Sequence, residues 1–164
     1  MNLRPSAPIT AVQSSLRTAV AAASAVAIAQ FLELEHPIYA LISAVLVMDL
    51  SPLNTRQLAV HRFWGSLLGA VVGAVLSYPL PEGPLAVGIG ILVAMLVSYG
   101  LRMPGAAKVA GYVCGVVIFA HGAQPWSYAY HRTLETLIGV GMAVLVSLVP
   151  KLLGVKLPSD AQSD

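Results

Sequence analysis

Six apolar stretches separated by proline-containing breaks dominate this sequence of 164 residues. Hydrophobic residues make up 57% of it and charged residues only 10%, and the mean hydropathy is +0.80. Soluble domains carry about 25% charged residues, so this chain lacks the polar side chains that would cover a globule in water. The sequence therefore predicts an all-α integral membrane protein.

The apolar stretches predict six transmembrane helices, because a span needs roughly 20 residues with few charges. The second stretch, PIYALISAVLVMDLSPL, is short, and a half-crossing or re-entrant segment is the alternative there. The helices are expected to form one membrane domain at 15–150, between a cytoplasmic lead-in at 1–14 and a cytoplasmic polar tail at 151–164. The predicted spans cover about residues 18–32, 37–53, 58–78, 85–101, 106–120 and 126–149.

The charged residues of the loops predict how these helices are oriented. Alternate loops are basic, whereas the loops between them carry Glu33, Glu35 and Glu82, with Arg132 as their one base. Under the positive-inside rule, this alternation places both termini in the cytoplasm. The bases on the cytoplasmic side are Arg4, Arg17, Arg56, Arg62, Arg102, Lys108, Lys151 and Lys156.

The two halves of the chain contain an internal repeat. When His61 is aligned with His131, the stretch HRFWGSLLGAVVGAVLS matches HRTLETLIGVGMAVLVS. Each match closes a group of three spans, and because three is odd, the second group is inverted relative to the first. The sequence thus predicts two inverted three-helix repeats, an arrangement in which transporters bind their substrate at the repeat interface.

Arg62 and Arg132 occupy the same position in the two repeats and are the first candidates for substrate binding. Each is expected near the N-terminus of its helix, where the helix dipole adds positive charge, and on opposite sides of the membrane. Two such helix ends would attract an anion. The alternative is that both arginines only reach the lipid headgroups and set the topology, which fits Arg62 better than Arg132.

Three further charged residues are candidates for ion pairing or proton coupling. Glu135 follows Arg132 by three residues, so a local ion pair is the simplest interpretation and a protonatable coupling carboxylate is the alternative. Arg17 and Asp49 are expected near the inner interface. Either both contact headgroups there, or Asp49 pairs with Arg62 across helices.

Aromatic residues and glycines complete the predicted sites. Trp126 and Tyr130 are interfacial residues in one interpretation and stack on an aromatic substrate in the other. Glycines recur at every fourth position and let membrane helices pack closely, either within the chain or between two copies. These predicted packing glycines are Gly65, Gly69, Gly73, Gly111, Gly115 and Gly139. We find no catalytic motif, no metal-ligand spacing, no cofactor motif and no basic patch for nucleic acid in the sequence.

The stretch VLVMDLSPLNTRQLAVHRFWGSLLGAVVGAVLS resembles the fusaric acid resistance and aromatic acid exporter family. In that family a short second span leads to a helix with the pattern Arg-x-x-Gly-Ser/Thr-x-x-Gly, here Arg62, Gly65, Ser66 and Gly69. RTLETLIGVGMAVLVSL and LRTAVAAASAVAIAQF resemble the closing and first helices of the same unit. The resemblance implies a multi-pass protein of the plasma membrane, in bacteria the inner membrane, that exports aromatic or other organic carboxylates. The distantly similar plant malate channels imply a homodimer with a positively charged anion path.

The expected function is therefore transport of organic carboxylate anions, by a transporter or a channel, and not an enzymatic reaction. Larger members of the family carry two such units, or one unit and a soluble domain, whereas this chain holds one unit. The alternative is a non-transporting multi-pass membrane subunit or assembly partner, in which the same arginines serve only topology and pairing.

Overall fold

The computed structural model describes residues 7–80, 83–120 and 124–149, with side chains from residue 11 to 80, 83 to 119 and 124 to 149. The described residues form six helices and no strand, as predicted. Part of the lead-in, the tail at 151–164, Glu82 and the bases Arg4, Lys151 and Lys156 lie outside the described residues. The helices are α1 (Ala7–Phe31), α2 (Ile38–Val47), α3 (Pro52–Leu76), α4 (Pro84–Gly100), α5 (Pro104–Ala120) and α6 (Pro125–Leu148).

Prolines begin four of these described helices, at Pro52, Pro84, Pro104 and Pro125. Proline suits the first turn because it has no N–H to leave unpaired and its φ angle is already helical. The predicted start of the third helix at Leu58 was therefore too late by six residues. This earlier start moves Arg62 away from the helix end.

The described helices differ in whether they are long enough to cross a bilayer. Within the described ranges, Ala11–Phe31, Pro52–Leu76 and Pro125–Leu148 have the length and hydropathy of a membrane span. Helices α4 and α5 have 17 residues each and α2 has 10. A helix as short as α2 measures about 15 Å, half of the hydrocarbon thickness, so complete crossing by all six helices stays a prediction.

Helices α3 and α6 pack against each other at the centre of the bundle. Helix α3 also packs on α4 and α5, whereas α6 packs on α1 and α2. The pair is antiparallel, because Ala59 of α3 clusters with Val140 and Ala143 of α6, while Ala70 clusters with Ala129. Exchanging α1 with α4, α2 with α5 and α3 with α6 leaves the set of helix contacts unchanged.

Two glycines allow the closest helix approaches. A Cβ atom on Gly69 would meet the carbonyl oxygen of Ala110 in α5, and one on Gly139 would meet that of Ala40 in α2. In the alignment of the two repeats, Gly139 corresponds to Gly69 and Ala40 corresponds to Ala110. Gly65 and Gly73 also face α5, and Gly111 and Gly115 face α4. The glycines thus pack helices within this chain, where small residues let backbones approach.

The turns after α1 and α4 have the same construction. Glu33 and Arg102 both adopt the left-handed conformation, with φ of 52° and 60°. The next N–H, of Leu34 or Met103, donates to a carbonyl five residues earlier over 3.0 Å, as in a Schellman helix end. Helices α1 and α4 therefore end alike.

The bundle has small residues inside and large apolar residues outside. Alanines dominate the buried core, whereas Phe31, Leu85 and Phe119 are at least 80% exposed. A soluble protein would bury such side chains, because exposing them to water costs free energy. An apolar exterior over a small-residue interior is typical of helices packed in lipid.

Candidate functional site

Arg62 lies inside the bundle, ten residues after α3 begins. Its side chain is 4% exposed. Nε donates a hydrogen bond to Ser43 Oγ over 3.4 Å, and the guanidinium carbon is 5.1 Å from the centroid of the Tyr112 ring. Nη2 has no hydrogen-bond partner among the described residues. Arg62 thus keeps an unused donor in the interior.

Arg132 occupies the related position in α6, seven residues after that helix begins. It is 1% exposed, and its guanidinium carbon lies 3.5 Å from the centroid of the Tyr39 ring. Nη2 donates to the Tyr112 hydroxyl over 3.0 Å. Within the described part of the chain, Nε and Nη1 have no hydrogen-bond partner. Stacking on a ring stabilises a guanidinium group but leaves its N–H donors unsatisfied.

Tyr112 of α5 brings the two arginines together. The guanidinium carbons of Arg62 and Arg132 lie 5.1 and 5.6 Å from the centroid of this one ring. The expectation that Arg62 and Arg132 lie at the N-terminal ends of their helices is wrong. Both lie two or three turns inside their helices, beyond the first turn in which the helix dipole acts. They form one cationic centre.

Glu135 is fully buried one turn after Arg132. Its Oε1 accepts a hydrogen bond from the backbone N–H of His36 over 2.9 Å, and its Oε2 has no hydrogen-bond partner among the residues described. The structure does not form the expected local ion pair: the described ion pairs include none within 4.0 Å between Glu135 and Arg132. The carboxylate turns toward the segment between α1 and α2 instead.

Three rings surround this centre on the side of α2. His36 and Tyr39 have centroids 5.7 Å apart, and Tyr128 packs edge-on against both, at 5.8 and 6.2 Å. Sequence reasoning missed Tyr39, Tyr112 and the buried position of Tyr128. Tyr128 precedes Arg132 by four residues, so helical periodicity already placed it on the same face. Tyr39 and Tyr112 carry no comparable signal.

Trp126 and Tyr130, the residues for which stacking on an aromatic substrate was one of two interpretations, lie away from the arginines. They are 50% and 63% exposed and border a shallow outer groove between α6 and α3. Tyr130 faces away from Arg132, because positions two apart point to opposite faces of a helix with about 3.6 residues per turn.

Arg17 and Asp49 serve the ends of other helices. Arg17 is 3% exposed and donates to the carbonyl oxygens of Val149, over 3.0 Å, and Leu50, over 3.4 Å. Asp49 Oδ1 accepts from the backbone N–H of Ser51 over 2.8 Å, in the turn that leads into α3. The alternative pairing of Asp49 with Arg62 is not formed in the described residues.

A hydroxyl pair marks the point where α3 and α6 cross. Thr136 donates to Ser66 Oγ over 3.3 Å, and both residues are fully buried. The two occupy the same position of the repeat. Arg62 and Arg132 each precede this pair by one turn on their own helix, and because α3 and α6 are antiparallel, the two arginines lie on either side of the crossing.

The apolar exterior, the small-residue interior and the buried cationic centre define a helical membrane protein of the multi-pass type. The chain belongs to the family described as fusaric acid resistance protein-like, whose model matches residues 22–146. The family resemblance drawn from the sequence is thereby confirmed.

Some of the curated proteins that are similar to this chain carry transporter names. A Mycobacterium tuberculosis protein with a provisional name as an arylamide transporter is 30% identical over 125 residues, covering 70% of this chain and 34% of that relative. The uncharacterized transporter YdhK of Escherichia coli is 24% identical over 146 residues, covering 80% and 22%. The UPF0421 protein YgaE of Bacillus subtilis is 21% identical over 133 residues, covering 81% and 38%. The chain spans less than two fifths of the length of each of these relatives. No solved structure matches it.

Proposed function

We propose that this chain is a transport unit for organic carboxylate anions, aromatic ones among them, with Arg62 and Arg132 as the groups that bind the anion. The observation that carries the proposal is the set of unused guanidinium nitrogens, Nη2 of Arg62 and Nε and Nη1 of Arg132, which have no partner in the described ranges. Buried cations without partners are costly. A carboxylate between the two arginines would accept charge-assisted hydrogen bonds from unused donors of both.

An inverted repeat is the second part of the proposal. It is supported by the exchange symmetry of the helix contacts, by the antiparallel crossing of α3 and α6, and by glycine contacts that recur at related positions of the two halves. If both helices cross the membrane, the two-fold axis that relates them lies in the membrane plane. The cationic centre is then at the repeat interface, where inverted-repeat transporters bind substrate.

The cellular setting follows from the charge pattern and from the family. We propose six membrane crossings with both termini in the cytoplasm, in the plasma membrane of a bacterium, and export as the direction. A second copy of the chain is part of the proposal, as the resemblance to dimeric channels implies. Cross-linking between exposed positions on α3, such as Trp64 and Val71, tests the second copy.

The test of transport is uptake of labelled benzoate by liposomes that contain the purified chain, with protein-free liposomes as the measure of passive leak. We expect wild-type uptake above the leak and loss of this uptake in Arg132→Ala. Arg56→Ala is the matched control, because Arg56 is an exposed arginine of α3 and its loss leaves the buried centre intact. Size-exclusion chromatography and circular dichroism would verify that each variant is folded.

Two outcomes contradict the proposal. If Arg132→Ala takes up benzoate as fast as wild type, the cationic centre does not bind the anion. If wild type moves none of a broad panel of organic anions, the non-transporting membrane subunit is the better interpretation, and the arginines then serve only the packing and topology of the bundle.

A further inference from the structure

Glu135 and Arg132 are placed to form an ion pair and do not form one. Residues three apart on a helix share a face, with Cβ atoms about 5–6 Å apart, so a change of side-chain rotamers would join them. In the structure the carboxylate points to the backbone N–H of His36, while the guanidinium group stacks on Tyr39 and binds Tyr112. The two groups are held apart by different neighbours.

Each of the two groups keeps unused capacity inside the bundle. Glu135 Oε2 and Arg132 Nε and Nη1 are buried and have no hydrogen-bond partner in the part of the chain that is described. Leaving a buried charged group unsatisfied costs more than leaving a neutral one. Two arrangements lower this cost: the ion pair closes, or Oε2 takes a proton and loses its charge while the guanidinium group takes an anion.

We infer that Glu135 is the proton-coupling residue of the anion site, an inference that rests on the proposed function. The pair closes when no anion is bound, and the open arrangement of the structure is the one into which an anion fits. When the anion binds Arg132, a proton from water forms an O–H bond at Glu135 Oε2, and when the anion leaves, the proton returns to water. No bond within the anion is made or broken, and one proton accompanies each anion.

Other ionisable groups lie near Glu135, and a test must show that the proton binds Glu135 and not one of them. On α6 they are Tyr128, His131 and Arg132, and on the segment before α2 they are Glu35 and His36. Tyr39 of α2, Tyr112 of α5 and Arg62 of α3 surround Arg132. Helix α1 also packs on α6, but its Arg17 binds the carbonyl of Val149 at the far end. Of these carboxylates, Glu135 lies on the same helix face as Arg132, three residues further along α6.

The repeat supplies one such carboxylate rather than two. The residue that the repeat relates to Glu135 is Gly65, which packs against Val109 and the carbonyl of Ala106. Arg62 therefore has no carboxylate one turn after it. This asymmetry predicts a ratio of one proton per anion.

The test measures protons on binding, with the purified full chain in detergent and a weak buffer at pH 7. Sodium benzoate is fully ionised there, so any proton taken up goes to the protein. We expect uptake of about one proton per benzoate bound and an apparent Kd that rises about tenfold per pH unit once the free carboxylate is ionised. Glu135→Gln should bind benzoate with no proton uptake and with an affinity independent of pH.

Matched variants separate Glu135 from its neighbours. Glu33→Gln removes an exposed carboxylate of the same loop region and should keep the wild-type proton uptake. His131→Asn should keep it as well. Benzoate binding by wild type without proton uptake, or proton uptake that persists in Glu135→Gln, would overturn the inference. The wild-type measurement decides the matter even if Glu135→Gln does not fold, whereas absence of any benzoate binding contradicts the proposed function instead.

Discussion

The half of the bundle built on α2 and α6 differs from its counterpart built on α5 and α3 in chemistry but not in packing. Both halves use a glycine against a carbonyl, Gly139 on Ala40 and Gly69 on Ala110. By contrast, Tyr39 and Glu135 have Val109 and Gly65 at the related positions. Aligned positions that hold a small residue in both halves pack the helices together. Aligned positions that hold different residues in the two halves contribute Tyr39 and Glu135 to the site.

Arginine is the exception, because Arg62 and Arg132 are present in both halves and meet at Tyr112. Their surroundings are unequal: Arg132 stacks on Tyr39 and has Glu135 one turn away, whereas Arg62 bonds to Ser43. The following predictions test whether this difference matters for the anion.

The largest expected effect separates the two arginines. Arg132→Ala should weaken benzoate binding about 100-fold and Arg62→Ala about tenfold, since each lost charge-assisted hydrogen bond costs about 1.5–3 kcal/mol and Arg132 offers two unused nitrogens against one. Binding titrations on both variants measure the difference, with Arg56→Ala as the exposed control. Equal losses would mean that the anion lies symmetrically between the two halves, and a larger loss for Arg62→Ala would reverse the assignment.

The second prediction concerns the contact between a glycine and a backbone carbonyl that both halves contain. Gly69→Ala and Gly139→Ala should each lower the free energy of unfolding by about 1–3 kcal/mol, because the new methyl group meets a backbone carbonyl that cannot move aside. Gly141→Ala, two residues further along α6, has open space at its Cβ and should not destabilise. Thermal unfolding in detergent measures all three. If Gly69→Ala is tolerated and Gly139→Ala is not, the two halves do not pack alike.

The third prediction concerns the tyrosine between the arginines. Tyr112→Phe removes the hydroxyl that accepts from Arg132 and keeps the ring beside Arg62. Loss of one hydrogen bond to a charged group should weaken benzoate binding by about tenfold. Tyr99→Phe, at an exposed tyrosine of α4, is the control. An unchanged affinity for Tyr112→Phe would show that stacking on Tyr39 alone holds Arg132 in place.

The six helices of the described residues were predictable from the sequence. Prolines mark where α3, α4, α5 and α6 begin. A helix that packs in lipid is recognised in a sequence as a long apolar run. The internal repeat relates Arg62 to Arg132 in the sequence alone. The start of α3 was misplaced because Arg56 and the polar residues around it are typical of a loop, although Pro52 was already a suitable first residue.

The sequence did not predict that Tyr112 lies beside both Arg62 and Arg132, since this depends on which helices are in contact. Tyr112 stands alone in the apolar run GYVCGVVIF, and its repeat-related position is Ile42, so the repeat gives it no signal. Likewise, the spacing of Glu135 and Arg132 predicts a local pair. The carboxylate turns to His36 instead, because the segment before α2 offers a backbone N–H, and that segment is distant in sequence.

The smallest expected effect lies at the crossing of α3 and α6, where the two halves meet. Ser66→Ala and Thr136→Val should each destabilise the fold slightly, and a double-mutant cycle should give a coupling of about 0.5–1 kcal/mol, because the hydroxyls bond to each other. The cycle of Ser66→Ala with Thr133→Val is the control and should be additive, since Thr133 bonds to Ala129 of its own helix. Coupling in the first cycle alone supports a crossing at Ser66 and Thr136, the point through which a two-fold axis between the repeats would pass. Additivity in both cycles would move that crossing, and with it the proposed axis, to another level of the bundle.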